Sequence, residues 1–433
     1  MEFTHIVIAF GIMLGLLLIG MPIAVIMVLL GAVGGVLVFG WPLFQSIGSV
    51  VWGVQNENIL TAIPLFILLG ELLLRSGIAD RMYSALSIWL GRLPGGLLHT
   101  NIGCSALFAA TSGSSVATAA TIGTVALPAL NERGYIKSQS LGSLAAGGTL
   151  GILIPPSVNL LIYGSLTNTS IGQLFVAGII PGILLTFLFM AYIGVSNFNR
   201  EVDVQAVKLP LNEKIRALGD LLPPLLIFFI VMGSIYFGIA TPTESAAIGV
   251  VVALGLAWRE GALSFEFLHR CFFHTARTTG MVLLIITGAF ILNVTLALVG
   301  IAQTMTQWVA ELGLSATGLL LVLILFYLLL GMFMDVLSMQ VLTIPIAYPI
   351  ITAVGIDPIW FGVFIVLMCE LGLITPPVGM NLYVVQGVRQ DGGPFSEVMW
   401  GALPYAVLML VFTGVMIAFP IIVLWLPHTM FGN

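Results

Sequence analysis

An all-α polytopic membrane protein made of two inverted-topology repeats is the fold class this sequence predicts, on three observations. Of its 433 residues, 59% are hydrophobic and 7% charged. With a mean hydropathy of +1.16, that is too little charge to cover a soluble globule of this size. A hydrophobic phrase holding two adjacent prolines occurs twice, as LGILIPPSVNL over 150–160 and LGLITPPVGMNL over 371–382, with Pro155 and Pro376 221 positions apart. Lysine and arginine flank opposite ends of the two copies.

The same composition excludes several functions. A net charge of -5, scattered along the chain, does not suit a nucleic-acid partner; the partner it does suit is the lipid bilayer. Cys104, Cys271 and Cys369 lie far apart in apolar surroundings and read as buried thiols rather than a disulfide framework or a metal site. The first apolar run lacks a basic n-region and continues into a second, so a cleavable signal peptide is not expected.

Taken in order, 5–19 and 23–39 are apolar runs separated by a tight turn at Gly20, Met21 and Pro22. Polar Gln55, Asn56, Glu57 and Asn58 precede a span over about 60–74 that ends at Arg75. Residues 77–93 carry Asp80, Arg81 and Arg92 among spaced apolar positions, a pattern for a helix lying at the interface. Residues 97–130 are apolar but interrupted by Thr111, Ser112, Gly113, Ser114 and Ser115, and basic residues on both flanks predict a re-entrant hairpin with that tip. A broken helix over 142–165 holds the first proline pair, and 175–195 is a span. The hydrophilic stretch 197–220, with Arg200, Lys208, Lys214 and Arg216, reads as the cytoplasmic linker (199–220) between a first repeat, 1–198, and a second, 221–433. The second repeat opens with a span over 221–239, a turn at 240–244 in which Glu244 reads as part of an N-terminal capping box, and a span ending at Trp258. It closes with a hairpin over 319–351, whose tip falls near GMFMDVLS at 331–338, and a broken helix over 361–386. That gives about five spans, one of them broken, and one hairpin per repeat.

Repetition continues beyond the prolines. SGIADRM at 76–82 matches VGIAQTM at 299–305; Leu90, Gly91, Gly96, Leu97 and Leu98 recur as Leu312, Gly313, Gly318, Leu319 and Leu320; Ala126 and Pro128 recur as Ala347 and Pro349. In the first copy Arg75, Arg81, Arg92, Arg133 and Lys137 are basic where the second copy has neither lysine nor arginine, while Arg389 stands where the first copy is uncharged. The charge bias changes sides, which predicts inverted copies with Arg133 and Lys137 cytoplasmic and Asp357 external.

LLGELLLRSGIADRM, LPGGLLHTNIGCSALFAATSGSSVATAATIG, Gly134 with Tyr135, GILIPPS and LGLITPPVGMNLYV together resemble the large membrane subunit of TRAP transporters, the DctM-like permeases, from about Gly20 to Leu410. The resemblance implies a sodium-coupled importer of organic acid anions, such as sialic acid or C4-dicarboxylates, in the bacterial inner membrane. It implies two partners, a small four-helix membrane subunit and an extracytoplasmic substrate-binding protein. It also implies an elevator mechanism, in which hairpins and broken helices move against a scaffold, with no cofactor beyond sodium as coupling ion and no enzymatic reaction.

Adjacent prolines remove two amide donors and stop a helix, leaving carbonyls open where lipid would penalise them, so each break should line a cavity. Two breaks in matching positions mark the binding region of a secondary transporter, with carbonyls for a cation and half-helix N-termini for a carboxylate. On this basis we place a first sodium or substrate site at Thr111, Ser112, Gly113, Ser114, Ser115, Gly151, Pro155 and Ser157. A second comprises Gly331, Asp335, Ser338, Gly372, Thr375, Pro376, Gly379 and Asn381. Each has a plainer rival: close helix packing for the serines and glycines, a helix cap for Asp335, and a snorkelling or scaffold hydrogen-bonding role for Glu370 and Glu71, each near an expected span end.

Other classes fit less well. A serine hydrolase using Ser114 or Ser115 would need a histidine, and His99 lies at the base of the hairpin. A channel would not need paired, inverted breaks. Within transporters, the alternative is a stand-alone sodium-coupled carboxylate permease of related fold.

Overall fold

The computed structural model describes residues 11–13, 15–17, 19–198 and 210–432, with Ala310 described by its backbone alone. Most of the expected first span and residues 199–209 of the linker lie outside the described residues. The regular elements among the described residues are all helices. Among the described residues, six helices are long and apolar enough to cross a membrane, or seven spans if one bent pair counts as a single crossing. The sequence suggests about ten crossings, with the hairpins counted apart; Ile23–Phe39 and Pro358–Leu373, each part of an expected crossing, are helices of 10–17 residues and fall short of that length.

In order, α1 spans Ile23–Phe39, α2 Trp41–Gln55, α3 Ala62–Arg75 after a short 3-10 turn, and α4 Ile78–Leu90. The first hairpin is α5, Leu97–Ser112, and α6, Ser115–Glu132. The first broken helix is α7, Lys137–Leu153, and α8, Val158–Thr167, bent by 41°. After α9, Ile171–Ser196, and the short α10, Leu211–Leu218, come α11, Leu222–Tyr236, and α12, Pro242–Arg259. The sequence leaves 259–298 undivided; the structure runs it as α13, Phe265–Val299, a single 35-residue helix. Then follow α14, Ile301–Glu311; the second hairpin, α15, Ala316–Gly331, and α16, Val336–Ala353; the second broken helix, α17, Pro358–Leu373, and α18, Met380–Val388; and α19, Phe395–Ala418, and α20, Ile421–Phe431.

Local chemistry sets the boundaries. At the expected turn near Pro242, Thr241 and Glu244 form a capping box: the Glu244 amide donates to Thr241 Oγ1 (3.3 Å) and the Thr241 amide to Glu244 Oε2 (2.8 Å). The Thr241 amide and hydroxyl, both donating to Glu244 Oε2, hold the Glu244 carboxyl below its ordinary range.

The centre of the molecule is α7 and α17, buried along nearly their whole length, which is why neither shows an amphipathic stripe. Both hairpins pack on them, α5 and α6 on α7 and α15 and α16 on α17. The short arms cross over, α18 lying on α6 and α8 on α16. Around this block, α1 packs on α13, and α3 on α12 and α13. All three cysteines are free and buried.

Candidate functional site

The first hairpin turns through Gly113, whose φ of +58° is the left-handed conformation that glycine adopts without strain. Its neighbour is the break: a methyl group added at Gly113 would lie 3.0 Å from Pro156 O. Ser114 is the extended N-cap of α6, its Oγ accepting from the Ala117 amide (3.3 Å). The break glycine meets this turn directly, since a Cβ on Gly151 would stand 2.6 Å from Ser114 O and 2.9 Å from Ser115 Cα. Beyond the cis Pro155–Pro156 bond, buried Ser157 caps α8 by accepting from the Leu160 amide (3.3 Å). Two hydroxyls of the expected group have partners within the hairpin: Thr111 donates to Phe108 O (2.8 Å), and Ser112 pairs with Thr118 (2.9 Å).

The second group repeats the plan with different residues. Gly331, the last residue of α15, and Gly372, in the last turn of α17, face each other so closely that a Cβ on Gly331 would lie 2.5 Å from Gly372 Cα. Asp335 caps α16, accepting from the Ser338 amide through Oδ2 (3.1 Å) and from the Ser338 hydroxyl through Oδ1. Thr375 Oγ1 donates to Leu371 O (2.6 Å) across the turn before the cis Pro376–Pro377 bond. Gly379, at φ +52°, opens α18 without a side-chain cap. Four helix ends therefore meet at the first tip, two C-terminal, carrying partial negative charge, and two N-terminal, carrying partial positive charge; at the second, the C-terminal ends of α15 and α17 meet at Gly331 and Gly372.

Asn381 is the residue the structure relocates. Chain position groups it with Gly372 and Thr375, yet a Cβ on Gly148 would lie 3.0 Å from Asn381 Nδ2 and 3.2 Å from Ser115 O, so Asn381 stands beside the first hairpin. It is fully buried, and neither polar atom of its side chain has a hydrogen-bond partner. Its counterpart Asn159, 222 positions earlier, is also buried with Nδ2 unpartnered.

Asn159 and Gln340 escape the sequence reading, which names Glu370 only as a snorkelling or scaffold hydrogen-bonding residue near a span end. Glu370, fully buried, accepts a hydrogen bond from the Ser115 hydroxyl of the other half, and its Oε2 has no partner. Its signal was its place two residues before Gly372: the α17 end it occupies is an internal break rather than a membrane surface. Asn159 carried a signal too, its alignment with Asn381. Gln340, buried with both polar atoms unpartnered, had none. Glu71, by contrast, pairs with Arg75 (2.9 Å) one turn away.

At one end of the central helices Arg389, Asp391, Glu397 and Lys137 form an ion-pair cluster that ties α7 to the segment after α18. Hydrogen bonds from Arg389, then Lys137, hold the Asp391 carboxyl well below the usual carboxylate range. At the other end the Tyr163 hydroxyl, on α8, donates to Pro358 O at the start of α17 (2.7 Å). His99 contacts Pro94 O through Nε2 (2.7 Å) and pairs with neither Ser114 nor Ser115.

The family model described as "Tripartite ATP-independent periplasmic transporter, DctM component" matches residues 10–422. The chain is 35% identical to the C4-dicarboxylate TRAP transporter large permease protein DctM of Pseudomonas aeruginosa, over 91% of this chain and 92% of that one. It is 32% identical to the sialic acid TRAP transporter large permease protein SiaM of Vibrio cholerae, over 97% of each. Among solved structures it is similar to the YdaH transporter of Alcanivorax borkumensis, with a TM-score of 0.64 at 15% identity over 93% of this chain and 98% of that one, a likeness of fold alone.

Proposed function

The chain belongs to the DctM family of tripartite ATP-independent periplasmic transporters, and we propose that it is the large membrane subunit of a sodium-coupled importer of organic acid anions. The observation that carries the reading is the doubled meeting of hairpin tip and proline-broken helix, at Ser114 with Gly151 and at Gly331 with Gly372. Sodium takes oxygen ligands, and each C-terminal half-helix ends in carbonyls that proline amides do not satisfy. The N-termini of α6, α8, α16 and α18 suit a substrate carboxylate. They also supply what side chains do not, because there is no lysine or arginine from Thr278 to Val388.

Inverted repeats are part of this reading, and two contacts near the ends of the central helices support them. The start of α7 pairs with the segment after α18, and Tyr163 in the second half of α8 with the start of α17. Two broken helices related in that way run antiparallel. In this reading the hairpins and broken helices form the moving body of an elevator, and α1, α3, α12 and α13 belong to the scaffold.

The partners in this reading are a small four-helix membrane subunit and an extracytoplasmic binding protein that delivers substrate, in the bacterial inner membrane. Similarity over nearly the full length of large permease subunits favours this assembly over a stand-alone permease. C4-dicarboxylates and sialic acid are the first substrates to test, because they are what the two relatives are named for.

The test is uptake into proteoliposomes holding the chain with its small subunit, against a panel of C4-dicarboxylates, sialic acid and other sugar acids. Uptake of at least one acid should require both an inward sodium gradient and added binding protein. Uptake that ignores sodium would contradict the coupling, and uptake without binding protein would restore the stand-alone alternative.

A further inference from the structure

Glu370 is a carboxylate placed where a carboxylate is costly. It lies in the last turn of α17, is fully buried, and takes part in none of the ion pairs among the described residues. An unpaired charge buried so deeply costs several kcal/mol unless a counter-charge reaches it. Its Oε1 accepts from the Ser115 hydroxyl, while Oε2 has no partner.

A second unsatisfied side chain stands beside the same serine. Asn381 is fully buried with both carboxamide atoms unpartnered, and its Nδ2 and Ser115 O flank a single point, 3.0 Å and 3.2 Å from a Cβ on Gly148. Glu370 and Asn381 come from the two sides of the second break, whereas Ser115 belongs to the first hairpin. A carboxylate, a hydroxyl and a carboxamide oxygen make a hard, oxygen-only donor set with one negative charge, suited to a monovalent cation.

We infer that Glu370, with Ser115 and Asn381, binds a sodium ion at the junction of the two halves, Glu370 supplying its charge. The inference rests on the sodium-coupled reading above and adds to it a ligand from the opposite half. Cation binding there pins the tip of the first hairpin to α17 and the second break, so occupancy of one half's tip depends on the other half's broken helix. Glu370 thereby makes the first hairpin sense the second break.

The test is the sodium dependence of thermal unfolding of the full-length protein, with sodium chloride replaced by choline chloride at constant ionic strength, followed by tryptophan fluorescence. Sodium should raise the unfolding temperature of the wild type. Glu370→Gln keeps the size of the side chain and an oxygen to accept from Ser115, so a purely structural hydrogen bond predicts an unchanged sodium midpoint. The cation site predicts a midpoint at least tenfold higher, with Glu370→Asp between the two. If Glu370→Gln does not insert, Asn381→Ala carries the test, with the midpoint again raised severalfold. A wild-type midpoint in both variants would overturn this site while leaving sodium coupling in place. A wild type with no sodium response at all would overturn the sodium reading and this site with it.

Discussion

Asp335 and Ser114 occupy the same place in the two hairpins, 221 positions apart, each as the N-cap of the helix leaving the tip. Both Asp335 oxygens are engaged by Ser338, and its charge faces the positive end of α16. Asparagine caps about as well as aspartate, so Asp335→Asn should transport at close to the wild-type rate with unchanged sodium dependence. Asp335→Ala should lose ~1 kcal/mol of helix-end stability, with reduced uptake. Normal uptake by Asp335→Ala would remove the cap from the account; a sodium shift in Asp335→Asn would make the carboxylate a ligand instead. That Asp335 is a candidate for a role was legible, because a carboxylate amid GMFMDVLSMQVL is expensive in a membrane. Glu370 was not legible in the same way. Hydropathy finds where an apolar run ends without telling a membrane surface from an internal break.

Hairpins and broken helices were the most legible elements, since glycine, serine and proline act locally. The tips fall at Gly113–Ser114 and within 332–335, and the breaks at 154–157 and 374–379, inside the expected segments. The scaffold was harder: α2 and α3 are parted at Asn56 and Glu57, yet the corresponding stretch of the second half continues as the 35-residue α13. Contact across each tip requires glycine on the break side. Gly151→Ala and Gly372→Ala should each cost ~1–3 kcal/mol through displaced backbone and should sharply reduce uptake. Gly233→Ala in α11 meets nothing within 4 Å and serves as the control, with near-normal folding and uptake. Equal tolerance at all three positions, read by thermal unfolding and uptake, would contradict close tip packing.

At the scale of the whole molecule, the ends of the two broken helices are tied in opposite sense. Lys137 meets Asp391 at one end, and Tyr163 meets Pro358 at the other. The Asp391 carboxyl is depressed in the folded state, so its stabilising contribution is present above the unfolded value of about 4 and is lost as pH falls below it toward the folded value. Asp391→Asn should therefore lower stability by no more than ~1 kcal/mol at pH 7, by the same amount at pH 5.5, and by progressively less below pH ~4. A difference that grows on acidification would contradict the pairing. The charge bias leads to the expectation of inversion, although no stretch of sequence says which end of one half meets which end of the other. The most direct test is sidedness in whole cells and inverted vesicles, using a membrane-impermeant thiol reagent. A cysteine replacing half-exposed Lys137 should be labelled only from the cytoplasm, and one replacing exposed Thr352, at the end of α16 before Asp357, only from outside. Labelling of both from the same side would contradict the inverted arrangement on which the paired sites depend.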